Sequence, residues 1–501
     1  MSVFKSCFRA CFAVLMAAGF CFAGRQSLLA DSELLVGVAE TDITPPVGFP
    51  MAGYFHERLA EGQIDSLKAR CVVFKSEDQQ AALVVCDLIA SAADFTIEVR
   101  KRASGKTGIP ASNIIVSATH SHTAPDYTKS LYAFLKNPDG VNSPNEMTAL
   151  RSKYIASLID RTVESIVNAN EAAKPSKLKS GWVEQQTPVA FNRRFVQRDG
   201  SVKTWVGLEH SETVRSAGPV DPEIGLLLIQ DDTGKPTGLI SNFALHLDTV
   251  GGMKWSADYP YFIEQSVRKS LGPNVVSLFG TGCCGDINHV NPRGKDRNKT
   301  DFIGNSLGET ITTGLPSLQP LEAPHLEVRS AIVQLPLQDS TKGDVEKAVR
   351  IMKAAKAGEA VEFTDNVTAH TRLLIDQLRN TPRHASHEDA TLARLMTSNW
   401  EGIGSTLPAE VNVIALGKDI AIVALPGEVF VELGLAIKRG SPFRTTLIVE
   451  LSNCVETCYV PTRAAYAGGS YEVTNSTLKP GGGEMLVEEA LRLLRSAASQ
   501  K

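Results

Sequence analysis

The stretch "VSATHSHTAPDY", Val116 to Tyr127, carries His120 and His122 two positions apart, directly after an apolar run. In an extended backbone, residues two apart face the same side. The pair therefore reads as metal ligands, a catalytic pair or a polar turn. Further along, "LISNFAL" runs into His246 and Asp248, and "VVSLFG" runs into "TGCCGDINHVNP". "AIVALPG" runs into Glu428, and "LIVELSN" into "CVETCYVPTRAAYAGGSYE". A catalytic zinc needs nitrogen and oxygen donors from several elements and a position left open for water. His120, His246 and Glu428 supply such a His2Glu set, with His122 as a further ligand. An HxH pair alone is a weak signal; the set is stronger. The "HASH" pair, His384 and His387, reads as a solvated helix face. His56, His210, His325 and His370 stand alone, and His289 sits in the "GDINH" turn behind the site.

The elements that must position these groups are short buried strands. "ARCVVF", "AALVVCDLIA", "NIIVSAT", "IGLLLIQ", "GLISNFALH", "VVSLFG", "IAIVAL" and "TLIVELS" are rich in Val, Ile and Leu and bounded by turn residues. Amphipathic patterns such as "LRSKYIASLIDRTVESIVNAN" alternate with them. The expected fold is α/β: mixed β-sheets covered by helices, with the metal site at the carboxyl ends of strands. "DDTGKP" predicts a hairpin, so part of the pairing is antiparallel. Residues 339–400 turn polar and helical and read as an insertion or lid. "GGGEMLVEEALRLLRSAASQK" predicts a final amphipathic helix, with its arginines late as the helix dipole favours.

The chain has 501 residues, a net charge of −4 and 43% hydrophobic residues. That composition supports a large core and gives no basic excess of the kind nucleic-acid binding needs. Lys5 and Arg9 precede an apolar run and then small residues, the layout of a secretory signal peptide over residues 1–30. The run is short of the ~20 residues a membrane span requires. The chain is therefore expected to be exported, to periplasm or extracellular space, with residues 31–501 as the mature protein. Cys454 and Cys458 are spaced to close a small loop in an oxidising compartment. Cys71 and Cys86 read as small buried residues, and the adjacent Cys283 and Cys284 are poorly placed to bridge each other.

Taken in order, these motifs resemble the neutral/alkaline non-lysosomal ceramidases, specifically their N-terminal catalytic domain. "VGVAETDITPPVGFPMAGY", "THSHTAPD", "FNRRF", "NFALHLDT", "GTGCCGDINHVNP", "LPGE" and "CYVPTRAAYAGGSYE" carry the likeness along nearly the whole mature chain. The resemblance implies hydrolysis of an amide, as of ceramide or another N-acyl lipid or amine. It implies one Zn2+ per chain, held by His120, His246, Glu428 and Tyr459. It places His122 toward the substrate, and Arg193 and Tyr471 around the reacting centre. Tyr466, between the two tyrosines, reads as a loop aromatic packed on the core. The family's serine aligns with Asn288 here, and its C-terminal immunoglobulin-like domain has no counterpart in the sequence.

Asn cannot act as an oxygen nucleophile, but a protein-bound zinc lowers the pKa of its water to about 7 and so supplies the nucleophile itself. His122 then exchanges protons. Tyr471 or His122 stabilises the oxyanion, one donor being worth on the order of 3 kcal/mol. Asn288 bonds substrate or water, and Asp286 fixes the glycine-rich turn or a histidine behind the ligands. The expected partner is a small-molecule or lipid amide, with contact at a membrane surface. The alternative is a catalytically silent relative that binds a lipid or amide.

Overall fold

The computed structural model describes residues 34–294, 296–322, 324–385 and 399–499. Eight strands form the larger sheet, β5 being one that the sequence pattern did not announce: β1 (Leu35–Asp42), β2 (Lys68–Lys75), β3 (Gln80–Cys86), β4 (Ile114–Ala118), β5 (Lys174–Glu184), β6 (Glu223–Asp231), β7 (Pro236–Phe243) and β8 (Val276–Thr281). They form one sheet in the order β8-β7-β6-β5-β1-β2-β3-β4, with Gln319–Pro320 added beside β5. Pairing is antiparallel except for β7–β8 and β3–β4, which are parallel. The hairpin expected at "DDTGKP" joins β6 to β7. A second sheet follows in the chain: β9 (Leu326–Pro336), β10 (Thr406–Leu416), β11 (Ile420–Ala424) and β12 (Thr445–Val449), in that spatial order.

The period-2 alternation of side chains explains why both faces of each sheet are apolar. On the large sheet Val72, Phe74, Leu83, Val85, Ile115, Leu227 and Ile229 point to one side, where they meet Ile414, Leu416, Ile422, Leu447 and Val449 of the second sheet. The alternate residues point outward. Cys71, Val73, Val84 and Val116 pack under α1 (Ala93–Thr107) and α2 (Glu146–Glu171). Leu226, Leu228 and Leu239 pack under α3 (Tyr259–Leu271) and α4 (Thr300–Gly314). The outer face of the second sheet, Val411, Val413 and Val423, is covered by α7 (Val431–Gly440) and α8 (Gly482–Ala498). The result is four layers, helix–sheet–sheet–helix; the mixed α/β class is the expected one, and the face-to-face packing of two sheets adds to it.

Within 339–400, α5 (Lys342–Lys356) and α6 (Phe363–Arg379) pack on each other through Val345, Ala348, Ala369 and Leu373. His384 donates its backbone N–H to Asp376, while His387 and the N-terminal signal-like segment lie outside the described residues. Cys454 and Cys458 are free thiols, contrary to the loop closure that their spacing suggested. Cys454 is buried beside Glu456, and Cys458 faces a cavity described below.

Candidate metal centre

The apolar strand β4 ends at Ala118, and the chain turns sharply. Backbone N–H groups of His120 and Ser121 both donate to Leu88 O, and that of His122 donates to Leu247 O. His120 is held at φ 78°, a left-handed conformation uncommon for a residue with a side chain. Three strand ends thus meet: those of β3, β4 and β7. Glu428 arrives four residues after the end of β11 of the second sheet. The two-residue strand Glu428–Val429 pairs in parallel with Tyr459–Val460, which sets Glu428 beside Tyr459.

The rings of His120, His122 and His246 converge. His120 Nε2 lies 3.0 Å from His246 Nε2 and 3.4 Å from His122 Nε2. Glu428 Oε2 lies 3.4 Å from both His120 Nε2 and His246 Nε2. Each ring's other nitrogen meets a carbonyl: His120 Nδ1 with Ile89 O at 2.7 Å, His246 Nδ1 with Cys284 O at 3.0 Å, His122 Nδ1 with Gly53 O at 3.1 Å. A carbonyl only accepts, so each Nδ1 carries the proton and each Nε2 presents a lone pair inward. Gly53 can lie this close to His122 because it lacks a side chain; a Cβ there would come within 2.7 Å of His122 Cβ.

Burial pushes His122 down to about 3, helped by the neighbouring His120. Burial likewise pushes His246 well below the ordinary range, with Arg193 and His120 adding to it. Burial alone would raise Glu428, but His120, Tyr459 and Arg193 outweigh it and hold the carboxyl below its usual range. Facing lone pairs and a buried carboxylate oxygen, Glu428 Oε2, without a hydrogen-bond partner are unfavourable unless a cation lies among them. The three histidines form a group able to hold a metal ion. The edges of the His120–His246–Glu428 triangle, 3.0, 3.4 and 3.4 Å, match the ~3.3 Å donor separation around a tetrahedral ion with ~2.0–2.1 Å bonds.

The other predicted residues fall into two groups. Tyr459 and Arg193 belong to the centre. The Tyr459 hydroxyl sits against the Glu428 carboxylate and accepts from Arg193 Nη2 at 3.0 Å. Tyr471 packs edge-on against Tyr459, with ring centroids 5.5 Å apart. Asp286 and Asn288 are engaged elsewhere. Asp286 accepts from Val431 N at 2.9 Å, at the start of α7, and from Asn192 Nδ2 at 2.7 Å; burial pushes its carboxyl up to about 6. Its side chain thus ties the segment after the glycine-rich turn to the start of α7 and to Asn192. Asn288 Oδ1 accepts from Val290 N at 3.1 Å. Tyr466 donates to Leu478 O, as a packed loop aromatic does. His122 was expected to face the substrate, yet its Nε2 belongs to the cluster. It is also the most open of the three histidines, at 15% side-chain exposure against 4% and 2%.

Sequence reasoning missed several participants. Glu472 binds Arg193 Nε at 2.8 Å and Arg194 Nη1 at 2.7 Å, both pairs buried. Glu450 accepts from Val429 N at 2.7 Å and from the Cys284 thiol at 3.0 Å, bracing the ligand-bearing segments from below. Both acids stood in the quoted motifs, and their full burial, which gives them these roles, is a tertiary fact. His370, which stood alone in the sequence, lines a cavity of about 540 Å³ with Phe55, Leu374, Met51 and Cys458, and His120 and Glu428 open onto it.

The family model for neutral/alkaline non-lysosomal ceramidase, N-terminal, matches residues 34–288. The chain belongs to this family. It is accordingly a hydrolase acting on a linear amide. Within the matched span lie His120, His122, Arg193 and His246; Glu428, Tyr459 and Tyr471 lie beyond it. The crystal structure of neutral ceramidase from Pseudomonas aeruginosa is similar in fold, with a TM-score of 0.65 at 18% identity, over 94% of this chain and 76% of that one. A ceramidase complexed with C2 is similar at TM-score 0.64 and 17% identity, over 92% of this chain and 75% of that one. Both likenesses extend over the second sheet, so the four-layer fold of this ceramidase-family chain is shared well past the matched span.

Proposed function

We propose that this protein is an exported zinc-dependent amidohydrolase cleaving the carbon–nitrogen bond of ceramide or another N-acyl lipid or amine. The observation that carries the reading is the inward-facing donor set: the Nε2 atoms of His120 and His246 beside the partnerless Oε2 of Glu428. His120, His246 and Glu428 would hold one ion per chain, with the Tyr459 hydroxyl at its edge. When bound, zinc supplies Lewis acidity and an activated water at neutral pH.

The chain's own residues do the rest. Arg193 fixes the Tyr459 hydroxyl and adds positive charge beside the reacting carbonyl. Tyr471, whose phenol burial keeps protonated, donates to the developing oxyanion. His122, the open member of the cluster, faces the amide and returns a proton to the leaving amine. No reacting role falls to Asn288, so the family serine is dispensable in this reading. A ceramidase complexed with C2 is a relative of this fold and supports an N-acyl amide substrate. Export, with contact at a membrane surface, follows from the signal-like N-terminus and a lipid substrate.

Elemental analysis of the purified protein tests the metal, and release of free amine from ceramides and shorter N-acyl amines tests the reaction. About one zinc per chain, with hydrolysis lost on chelation and regained on adding zinc, is the expected result. Zinc-loaded protein that binds N-acyl amides and cleaves none would favour the silent-relative reading.

A further inference from the structure

Three of the large side chains left half-exposed carry rings and lie near the histidine centre. Trp205 is 51% exposed, Phe363 48% and Tyr54 45%, and all three stand around the histidine centre. Trp205 lies 4.9 Å from Tyr471, centroid to centroid, and Arg193 sits 5.8 Å above its indole. Phe363 stacks on Tyr471 at 5.9 Å and 19° and touches Trp205 at 6.1 Å. It also meets Phe55 at 5.8 Å, and Phe55 meets His370 at 5.1 Å in the cavity wall. The rings therefore run without a break from Tyr459 to the cavity.

Two further features argue for use rather than accident. Trp205 is held at φ 66°, a costly conformation for a bulky residue. Its backbone N–H is tied to Arg193 O at 2.9 Å, so one antiparallel pair of strands, Arg194–Gln197 with Val202–Thr204, sets both Trp205 and Arg193. Phe363 comes from residues 339–400, outside the span shared with the family model, and begins α6 with its ring over Tyr471.

We propose that Trp205 and Phe363 form the wall on which an apolar arm of the amide lies, and that Phe363 sets how long an arm is processed. The inference rests on the amidohydrolase reading above. A chain laid across the two rings loses water from each methylene, while an acetyl group is too short to reach them. Truncating either ring therefore weakens binding of long arms and leaves the reacting atoms untouched.

The test uses the zinc-loaded, full-length protein and a series of N-acyl amides sharing one amine, with acyl chains of two, eight and sixteen carbons. A second series varies the amine chain on a fixed acyl group. Phe363→Ala and Trp205→Ala should raise KM roughly tenfold for the long members of one series, with kcat little changed and the two-carbon member unaffected. Phe363→Leu should restore part of the loss. An equal change across all lengths in both series, or none, overturns the proposal. If the wild-type protein cleaves no amide, the functional reading fails first. The wall is then still tested by titrating a sixteen-carbon N-acyl amide against tryptophan fluorescence: a quench lost in Trp205→Phe and weakened in Phe363→Ala supports it, and an unchanged signal overturns it.

Discussion

At the scale of single residues, the centre depends on which nitrogen of each histidine is free. Carbonyls of Gly53, Ile89 and Cys284 lie closest to the three Nδ1 atoms, with Asp248 and the Cys284 thiol farther off beside His122 and His246, so backbone chiefly sets which nitrogen faces inward. Glu428→Gln keeps the shape of the carboxylate but removes its charge. It should lower zinc affinity by more than the ~10–100-fold seen on losing an outer partner of a ligand, measured by competition with a chromophoric chelator. His289 gives a separate pH prediction. Burial pushes its pKa from 6.5 down to about 4, with Arg297 assisting and Asp248 opposing. Between those two values the unfolded chain binds the proton and the folded chain does not. Stability is therefore whole above pH 6.5 and falls as pH drops toward about 4, by up to roughly 3 kcal/mol. His289→Gln should flatten that part of the stability–pH curve in denaturant melts. At this scale the sequence was most legible for His120, His246 and Glu428, because each follows an apolar run that had to be a strand. It was least legible for Glu450, Glu472 and Trp205, whose roles arise from burial or ring contacts made across the fold.

At the scale of elements, the segments around the centre are held by buried ion pairs as well as by strand ends. Glu472 neutralises both Arg193 and Arg194, and Thr204 donates to the same carboxylate at 2.8 Å. Glu472→Ala leaves two buried guanidinium groups short of a partner and should destabilise the fold by about 3–5 kcal/mol in chemical denaturation. Because Arg193 also holds Tyr459, amide hydrolysis should fall together with stability. Asp286→Ala should instead lower stability through the freed Val431 N–H while zinc content stays near one per chain. The strands at the quoted apolar runs and the β6–β7 hairpin were readable from composition and turn residues; β5, β9 and β10, whose polar residues interrupt any apolar run, were not. The short ladders Ile287–Asn288 with Phe191–Asn192, and Glu428–Val429 with Tyr459–Val460, were not. Two-residue strands carry no period, so no pattern announces them.

At the scale of the molecule, the α/β class was legible, but the sandwich of two sheets was not. Strands apolar on both faces require cover on both faces, and the sequence does not say whether helices or a second sheet provide it. The large sheet draws its strands from residues 35–320 and the second sheet from 326–449. His120 and His246 lie in the first part, Glu428 in the second, and Tyr459 ten residues beyond it on a short strand paired with Glu428–Val429. Removing zinc by chelation should therefore lower the melting temperature of the whole protein in one step, read by calorimetry, not loosen one lobe. The same division makes the chain a natural two-piece reporter. Cut between Glu322 and Pro324, and with the pieces carried on two interacting proteins, neither piece holds a full donor set. Zinc capture and amide cleavage would then register only the meeting of the two.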